Sequence, residues 1–346
     1  LSGPWRKFNR LTSTIVTMTA VGVGIVGTGF VARKRAEALA QDGRGQVVAV
    51  ADHVVANSQG FAQQYQTQAL PTWQDLVIHP QVDLVMVCQI NCHHGAVVAA
   101  ALAAQKHVVV EYPLALTVTE AERLLTLAQV RDRLLHVEHI ELLGGTHQAL
   151  KTHLTTLGQI HYARYSTLAP KRRVPRSWSY CPQQFGFPLV GALSRLHRLI
   201  DAFGPVQQVY GQNHYGGLTQ ADDRLDYYTT CLCTAQLTFT SGLVGSVVYG
   251  KGEGFWTPTR RLEVYGSQGQ LVLDGDGGEW VDAQGLRSLS LGSRRGLFAA
   301  DTTAVLDHLL ADKPLYCTPA ASVYSLRVAT AVQQSAASGQ SVTVAA

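Results

Sequence analysis

The chain has 346 residues, enough for two domains and a large buried core. It is 46% hydrophobic and 15% charged, with a formal charge of +4, which excludes a disordered or fibrous chain. No Lys- and Arg-rich run interleaved with aromatics suggests a nucleic-acid partner, and no segment approaches the ~20 apolar residues that span a membrane.

Arg6, Lys7 and Arg10 precede an apolar stretch in the manner of a signal peptide, but Val21–Val26 runs straight into a Gly-rich turn and reads as the first strand. Residues 1–17, before Met18, are expected to be a vector-derived or upstream remnant outside the fold. A helix over Val31–Gln41, a strand over Gln46–Ala51 and a helix over Ser58–Gln66 follow. Asp83–Gln89 and His107–Glu111 read as buried parallel strands, with Gly95–Gln105 as the helix between them. Thr117-Val118-Thr119-Glu120 is a capping-box signature for a helix ending near Val130, and Leu134–Ile140 is a further strand. Alternating strands and helices imply right-handed crossovers and a doubly wound parallel sheet.

After Leu150 the strands lengthen and alternate: Ile160–Thr167, Val206–Tyr215, Tyr227–Thr240, Leu243–Gly250, Arg261–Tyr265 and Gln270–Leu273. Ser241-Gly242 and Ser267-Gln268-Gly269 suit hairpin turns. Helices over Leu189–Phe203, Thr302–Ala311 and Ala320–Ala337 are expected to cover this sheet. The fold class is therefore α/β, an N-terminal Rossmann domain over 18–145 followed by an α+β domain over 146–346 with a large, mostly antiparallel sheet. The C-terminal helix is a candidate to return to the first domain. Six scattered cysteines (88, 92, 181, 231, 233, 317) include no Cys-x-x-Cys, which favours reduced structural thiols and the cytoplasm over a zinc site or disulfide framework. No metal is expected, and one chain leaves the oligomeric state unread.

Gly27-Thr28-Gly29-Phe30-Val31-Ala32 is a GxGxxA turn between a buried strand and an amphipathic helix, the context that gives this motif meaning. Gly27 permits the tight turn, Gly29 lets backbone approach a pyrophosphate, and Ala32 allows close helix–strand packing. Free N–H groups at the helix start complete a dinucleotide site formed by Gly27, Thr28, Gly29, Phe30 and Val31. Asp52 stands where an acid binds a ribose 2′-hydroxyl, which favours NADH. Arg33, Lys34 and Arg35 either help neutralise phosphate or form a solvated helix face.

Ile90-Asn91-Cys92-His93-His94 and then Lys106-His107-Val108-Val109-Val110-Glu111-Tyr112-Pro113 resemble the glucose–fructose oxidoreductase and inositol dehydrogenase superfamily from about Val21 to the C-terminus. The resemblance places Asn91, His94 and Glu111 near the cofactor. Sugar dehydrogenases of that superfamily carry a Lys in Glu-Lys-Pro and an Asp and a His on the first helix of the second domain, groups suited to taking a proton from an alcohol. Here those positions hold Tyr112, Ser194 and Arg198. The substitutions are similar to the biliverdin reductase family. Glu111-Tyr112-Pro113, His136–Leu143 and Phe185-Gly186-Phe187-Pro188 leading to Ser194-Arg195 resemble its animal and cyanobacterial members. His136–Gln148, Tyr162–Thr167 and Gly292–Phe298 are closest to the cyanobacterial type.

That resemblance implies NADPH-dependent reduction of biliverdin to bilirubin, with hydride delivered to the central methine bridge; NADH is the alternative donor. Arg195 and Tyr112 are then the candidate catalytic residues. Arg195 would stabilise or protonate a pyrrole nitrogen, and Tyr112, at a strand's C-terminal end, would donate to a pyrrole carbonyl or pack on the tetrapyrrole. Glu111, His139, Phe187, Ser194 and Arg198 are expected to bind substrate, with Arg172 and Arg173, in a basic Pro-bounded loop, attracting its propionates. The rivals are a dehydrogenase of sugars or other small hydroxyl compounds and a non-catalytic cofactor-binding regulator.

Overall fold

The computed structural model describes residues 20–221, 224–292 and 294–345, so the proposed N-terminal remnant lies outside the described residues. Six parallel strands form the first sheet: β1 Val21–Val26, β2 Gly45–Ala51, β3 Gln68–Ala69, β4 Leu84–Val87, β5 His107–Glu111 and β6 Leu135–Glu138. Their order is β3-β2-β1-β4-β5-β6. Every residue of β1 is buried, because helices cover both faces of a parallel sheet. The connecting helices are α1 Phe30–Asp42, α2 Val55–Tyr65, α3 Trp73–Val77, α4 His94–Ala103 and α5 Val118–Arg131. Thr117 Oγ1 caps α5 by accepting from the Glu120 amide at 3.3 Å. The strand order reverses between β1 and β4, which opens a crevice at the carboxyl ends of the strands.

Helix α6 (Gly145–His153) leads into a second, nine-stranded sheet. Its strands begin with β7 (Ile160–Pro170), and three helices follow: α7 Pro182–Phe185, α8 Pro188–Gly191 and α9 Ser194–Phe203. Next come β8 Val206–Gly216, a small separate pair β9 Thr219–Gln220 and β10 Asp226–Tyr227, then β11 Thr230–Phe239 and β12 Val244–Gly252. The sheet is extended by β13 Thr259–Gly266, β14 Gly269–Asp274, β15 Gly277–Asp282 and β16 Gly285–Ser290. After α10 (Leu297–Ala311) and α11 (Pro319–Ser338), β17 (Val342–Thr343) pairs with β8 at the sheet edge. Only β7 and β12 pair in parallel within it, so the sheet is mixed and mostly antiparallel. Among the described residues no helix is long and apolar enough to cross a membrane.

Two expectations about helices need correction. Leu189–Phe203 is not one helix: Ala192 leaves helical geometry at φ −109° and ψ 37°, and α9 restarts at Ser194. The break follows Gly191, whose missing side chain admits the Phe185 ring; a Cβ there would lie 2.3 Å from it. Nor does α10 cover the second sheet. It packs on α1, and its Val305 and Leu306 join Val23, Ile25 and Leu39 in one apolar cluster of the first domain. Helix α11 lies along β8 and also touches β6, α5 and α9, so this last helix ties the two sheets together.

A buried ionic network holds α10 on the first domain. Arg35, wholly buried on α1, donates through Nη1 to Asp301 on α10 and through Nη2 to Glu111 Oε1 at the end of β5, at 3.0 Å. Asp301 Oδ1 also meets His136 Nε2 at 2.8 Å and accepts from the Tyr316 hydroxyl at 2.6 Å. Arg35 is thus neither a phosphate ligand nor part of a solvated face. Removing one partner leaves a buried charge uncompensated, so Asp301→Ala is expected to destabilise the protein by about 3–5 kcal/mol. Urea unfolding followed by far-UV circular dichroism checks this, and an unchanged midpoint would refute it.

Candidate active site

A cleft of about 1360 Å³ runs from the Gly-rich turn, past the ends of β4, β5 and β6, to α7, α9 and β12 of the second domain. Single ligands usually occupy about 300–1,000 Å³, so this cleft has room for a cofactor and a second large molecule.

At one end the backbone is shaped for a dinucleotide. Gly27 has φ +101°, and a Cβ on it would come 2.5 Å from the Cys88 carbonyl oxygen. A Cβ on Gly29 would meet nothing within 4 Å, which leaves open space against the backbone for a phosphate. Helix α1 starts at Phe30 without a side-chain cap, so its first N–H groups face the cleft as anion donors. Thr28 Oγ1 donates to Asp52 Oδ2 at 2.7 Å, and the Val54 amide donates to Asp52 Oδ1 at 2.9 Å. These bonds fix Asp52 at the cleft wall. Exposed Arg33 and His53 lie beside it. The residues present fit a nicotinamide dinucleotide.

The other end holds a compact polar cluster. Ser194 Oγ donates to the Tyr112 hydroxyl at 3.1 Å, and Arg195 Nη1 donates to Ser194 Oγ at 2.8 Å and to the Tyr112 hydroxyl at 3.4 Å. The helix restart at Ser194 aims these two side chains at the end of β5. Arg195 also lies over the Tyr249 ring, 5.4 Å from its centroid. Burial opposes its charge, but the surrounding phenols and Glu141 more than offset this and hold the guanidinium above its ordinary value. Burial likewise pushes the Tyr112 phenol up, against the pull of Arg195. Behind Tyr112 the His139 ring stacks at 5.2 Å, and His197 stacks on His139 at 3.8 Å. Burial keeps both imidazoles neutral at pH 7, lowering His197 to about 4 and His139 well below its usual value.

Glu111 and Glu138 are register partners on β5 and β6, and both line the cleft. Burial, followed by the neighbouring Glu111, raises Glu138 well above the carboxylate range, which favours its protonated form.

Of the sequence-predicted residues, Gly27, Thr28, Gly29, Phe30, Val31, Asp52, Asn91, Glu111, Tyr112 and Arg195 line this cleft. The others stand elsewhere. His94 is fully buried between the carbonyls of Pro113 and Gln89, at 2.8 and 2.9 Å, and so braces the loops after β4 and β5. His139 is hidden behind Tyr112, and Ser194 reaches the cleft only through its bond to that phenol. Phe187 packs into the core beside α8, whereas Phe185 takes the place at the wall. Arg198 is buried and pairs with Glu141 at 3.0 Å. Arg172 lies away from the cleft, donating to the carbonyls of Glu253 and Phe255 and stacking on exposed Trp256 at 3.7 Å; Arg173 is exposed at φ +54°. Glu138, which follows a strand beside His139 and is a candidate to line the pocket on sequence grounds, does stand at the wall, whereas Glu141, Phe185, Tyr249 and Arg294 there were not expected as ligands. Glu138 and Glu141 fall within the His136–Leu143 stretch, and Arg294 within Gly292–Phe298, so their motifs were visible while their direction was not.

The family described as an oxidoreductase family with an NAD-binding Rossmann fold matches residues 21–139, and its C-terminal alpha/beta domain matches residues 152–344. The chain belongs to this oxidoreductase family. Within it, the chain is similar to a biliverdin reductase from Synechocystis sp. PCC 6803, solved in complex with biliverdin and NADP+. They are 46% identical, with a TM-score of 0.88, over 92% of this chain and 100% of the other. Biliverdin reductase A of Mus musculus is 32% identical over 39% of this chain and 43% of its own, so the match spans less than half of that curated relative. Levoglucosan dehydrogenase, solved with NADH and L-sorbose, shares the fold at a TM-score of 0.84 but only 17% identity, over 94% of this chain and 99% of the other.

The raised Glu138 acid has a consequence for stability. A carboxyl whose folded pKa exceeds its unfolded one contributes fully below the unfolded value, and that contribution is lost as pH rises through the folded value. Glu138→Gln keeps the neutral form at every pH. Its melting temperature is expected to fall less than that of the wild type between pH 5 and pH 9, as differential scanning calorimetry would read.

Proposed function

We propose that this protein is a biliverdin reductase that uses NADPH to reduce the central methine bridge of biliverdin, giving bilirubin. The observation that carries this reading is the Tyr112–Ser194–Arg195 cluster, set in one cleft with a dinucleotide cradle. Where sugar dehydrogenases of the family place a Lys–His proton acceptor, this cleft has a phenol and a guanidinium held above its ordinary value. Neither accepts a proton from an alcohol at pH 7, whereas a cation suits a substrate on which negative charge develops. Support also comes from the Synechocystis relative, matched along its whole length and solved with biliverdin and NADP+. Arg33, beside the fixed Asp52, is the cation available for the additional phosphate of NADPH, with the His53 ring next to it. Six free thiols support a place in the cytoplasm.

NADPH, when bound, supplies the hydride. The chain's own task is to orient the flat tetrapyrrole beside the nicotinamide end of the cleft and to stabilise the electron density that moves onto a pyrrole nitrogen as the bridge carbon is reduced. Arg195 does this as a permanent cation. A neutral guanidinium at pH 7 would cost roughly 7 kcal/mol even at an ordinary pKa of ~12, and the surroundings of Arg195 raise that cost. The proton therefore comes to the nitrogen from water, or through Arg195 only if water replaces it at once. Tyr112 and Ser194 hold the guanidinium in position, and Phe185 and Tyr249 furnish apolar wall for the ring system.

Mixing the protein with biliverdin and NADPH is expected to turn the solution from green to yellow; no turnover would defeat the reading. Arg195→Ala should lower kcat by about 10²–10³, the usual loss on removing one preorganised charge-stabilising donor. NADPH binding, followed by nicotinamide fluorescence, should be little changed. Near-normal turnover in that variant would remove Arg195 from the mechanism.

A further inference from the structure

The cleft wall beyond Arg195 carries more positive charge than its own acid can balance. Glu141 accepts from three guanidinium groups: Arg198 Nη2 at 3.0 Å, Arg260 Nη2 at 2.9 Å, and Arg294 Nη2. Arg195 stands beside them with no carboxylate partner of its own. Among the described residues Glu141 is the only carboxylate paired with any of the four, so one negative charge faces four positive ones. Arg198, only 2% exposed, also leaves Nε and Nη1 without a partner, and Arg195 Nε is buried without one. Burial should raise the Tyr165 phenol, yet Arg198, Arg195 and Arg260 override it and hold that phenol below its ordinary value. Buried cations in such excess are costly unless an anion joins them.

Glu141 and Arg294 both line the cleft, and the Arg294 side chain is 46% exposed with one edge on Glu141. We propose that Arg294, anchored by Glu141 and backed by Arg260 and Arg198, forms a carboxylate subsite that takes a propionate of the bilin. This rests on the bilin-reductase reading and moves propionate recognition away from the Arg172–Arg173 loop, whose leading arginine stacks on Trp256 outside the cleft. A guanidinium can meet a carboxylate through two parallel N–H donors, which fixes orientation as well as charge. The subsite sits on the same wall as Arg195, so a propionate held there would set how far the tetrapyrrole slides along the cleft toward the cofactor.

The test is a cycle of two changes, biliverdin against its dimethyl ester and the wild type against Arg294→Ala, at saturating NADPH. Arg294→Ala should raise KM for biliverdin about tenfold. For the ester, which has no carboxylate to offer, the same substitution should raise KM less than twofold. The two changes are thus coupled rather than multiplicative. Equal losses on both substrates would overturn the proposal. A second measurement needs no variant: in the wild type, potassium chloride should raise KM for biliverdin far more than KM for the ester, because screening weakens an ion pair. Identical salt dependence would also overturn it. If the wild type reduced neither bilin, the functional reading would fail. The same cycle run on Kd, from the bilin's visible absorption, would still decide the subsite.

Discussion

The buried Arg35 guanidinium is the interaction on which the arrangement of the molecule depends. One side chain from the first helix of the nucleotide domain joins Glu111 at the end of β5 and Asp301 on α10, 266 residues further along the chain. A guanidinium without water must keep its partners, so helix α10 cannot leave the first domain without exposing or stranding a charge. Asp301 in turn holds His136 and Tyr316, and the Tyr316 hydroxyl also accepts from the His139 amide at 3.2 Å. The floor of the cleft is therefore cross-braced from three elements before any ligand arrives.

This brace divides the cleft electrostatically. On the Arg35 side stand Glu111, paired with that guanidinium, and Glu138, whose carboxyl burial pushes up, next to the nucleotide cradle. On the far side Arg195, Arg198, Arg260 and Arg294 surround the lone Glu141. Tyr112 sits on the boundary, its phenol bonded to the Ser194–Arg195 pair and its ring resting on His139. An extended anionic substrate is drawn to the basic wall, which orients it before any specific contact forms. The Asn91 amide, donating to the Phe185 carbonyl at 2.9 Å, pins the two domains together at the rim between these halves.

Neutral imidazoles under Tyr112 fit the same logic. Charged histidines there would compete with Arg195 for the phenol and add to an already cationic wall. Burial lowers both His139 and His197, so the stack acts as flat packing that fixes the Tyr112 ring. Polar residue types in this layer serve geometry, and the chemistry stays with the groups that face the cleft.

The sequence by itself determined the nucleotide cradle, because its causes are local. A positive φ at Gly27, an open backbone at Gly29 and a helix start at Phe30 follow from residue types within one turn of chain. Tyr112 and Arg195 were legible through their motifs, and the strand and helix pattern exposed the two sheets apart from the two-residue edge strands β3 and β17 and the late hairpin β15–β16. What only the tertiary structure decided was which charges face the cleft. Arg35 looked like one of three solvated cations, although Ala32, Ala36 and Leu39 share its helix face and mark the side that is buried. His139, Arg198 and Arg172 carried suitable chemistry but point elsewhere, while Glu138, Glu141 and Arg294 converge from separate segments. A side chain's partner in space is set by packing between elements far apart in the chain, and no local pattern encodes it.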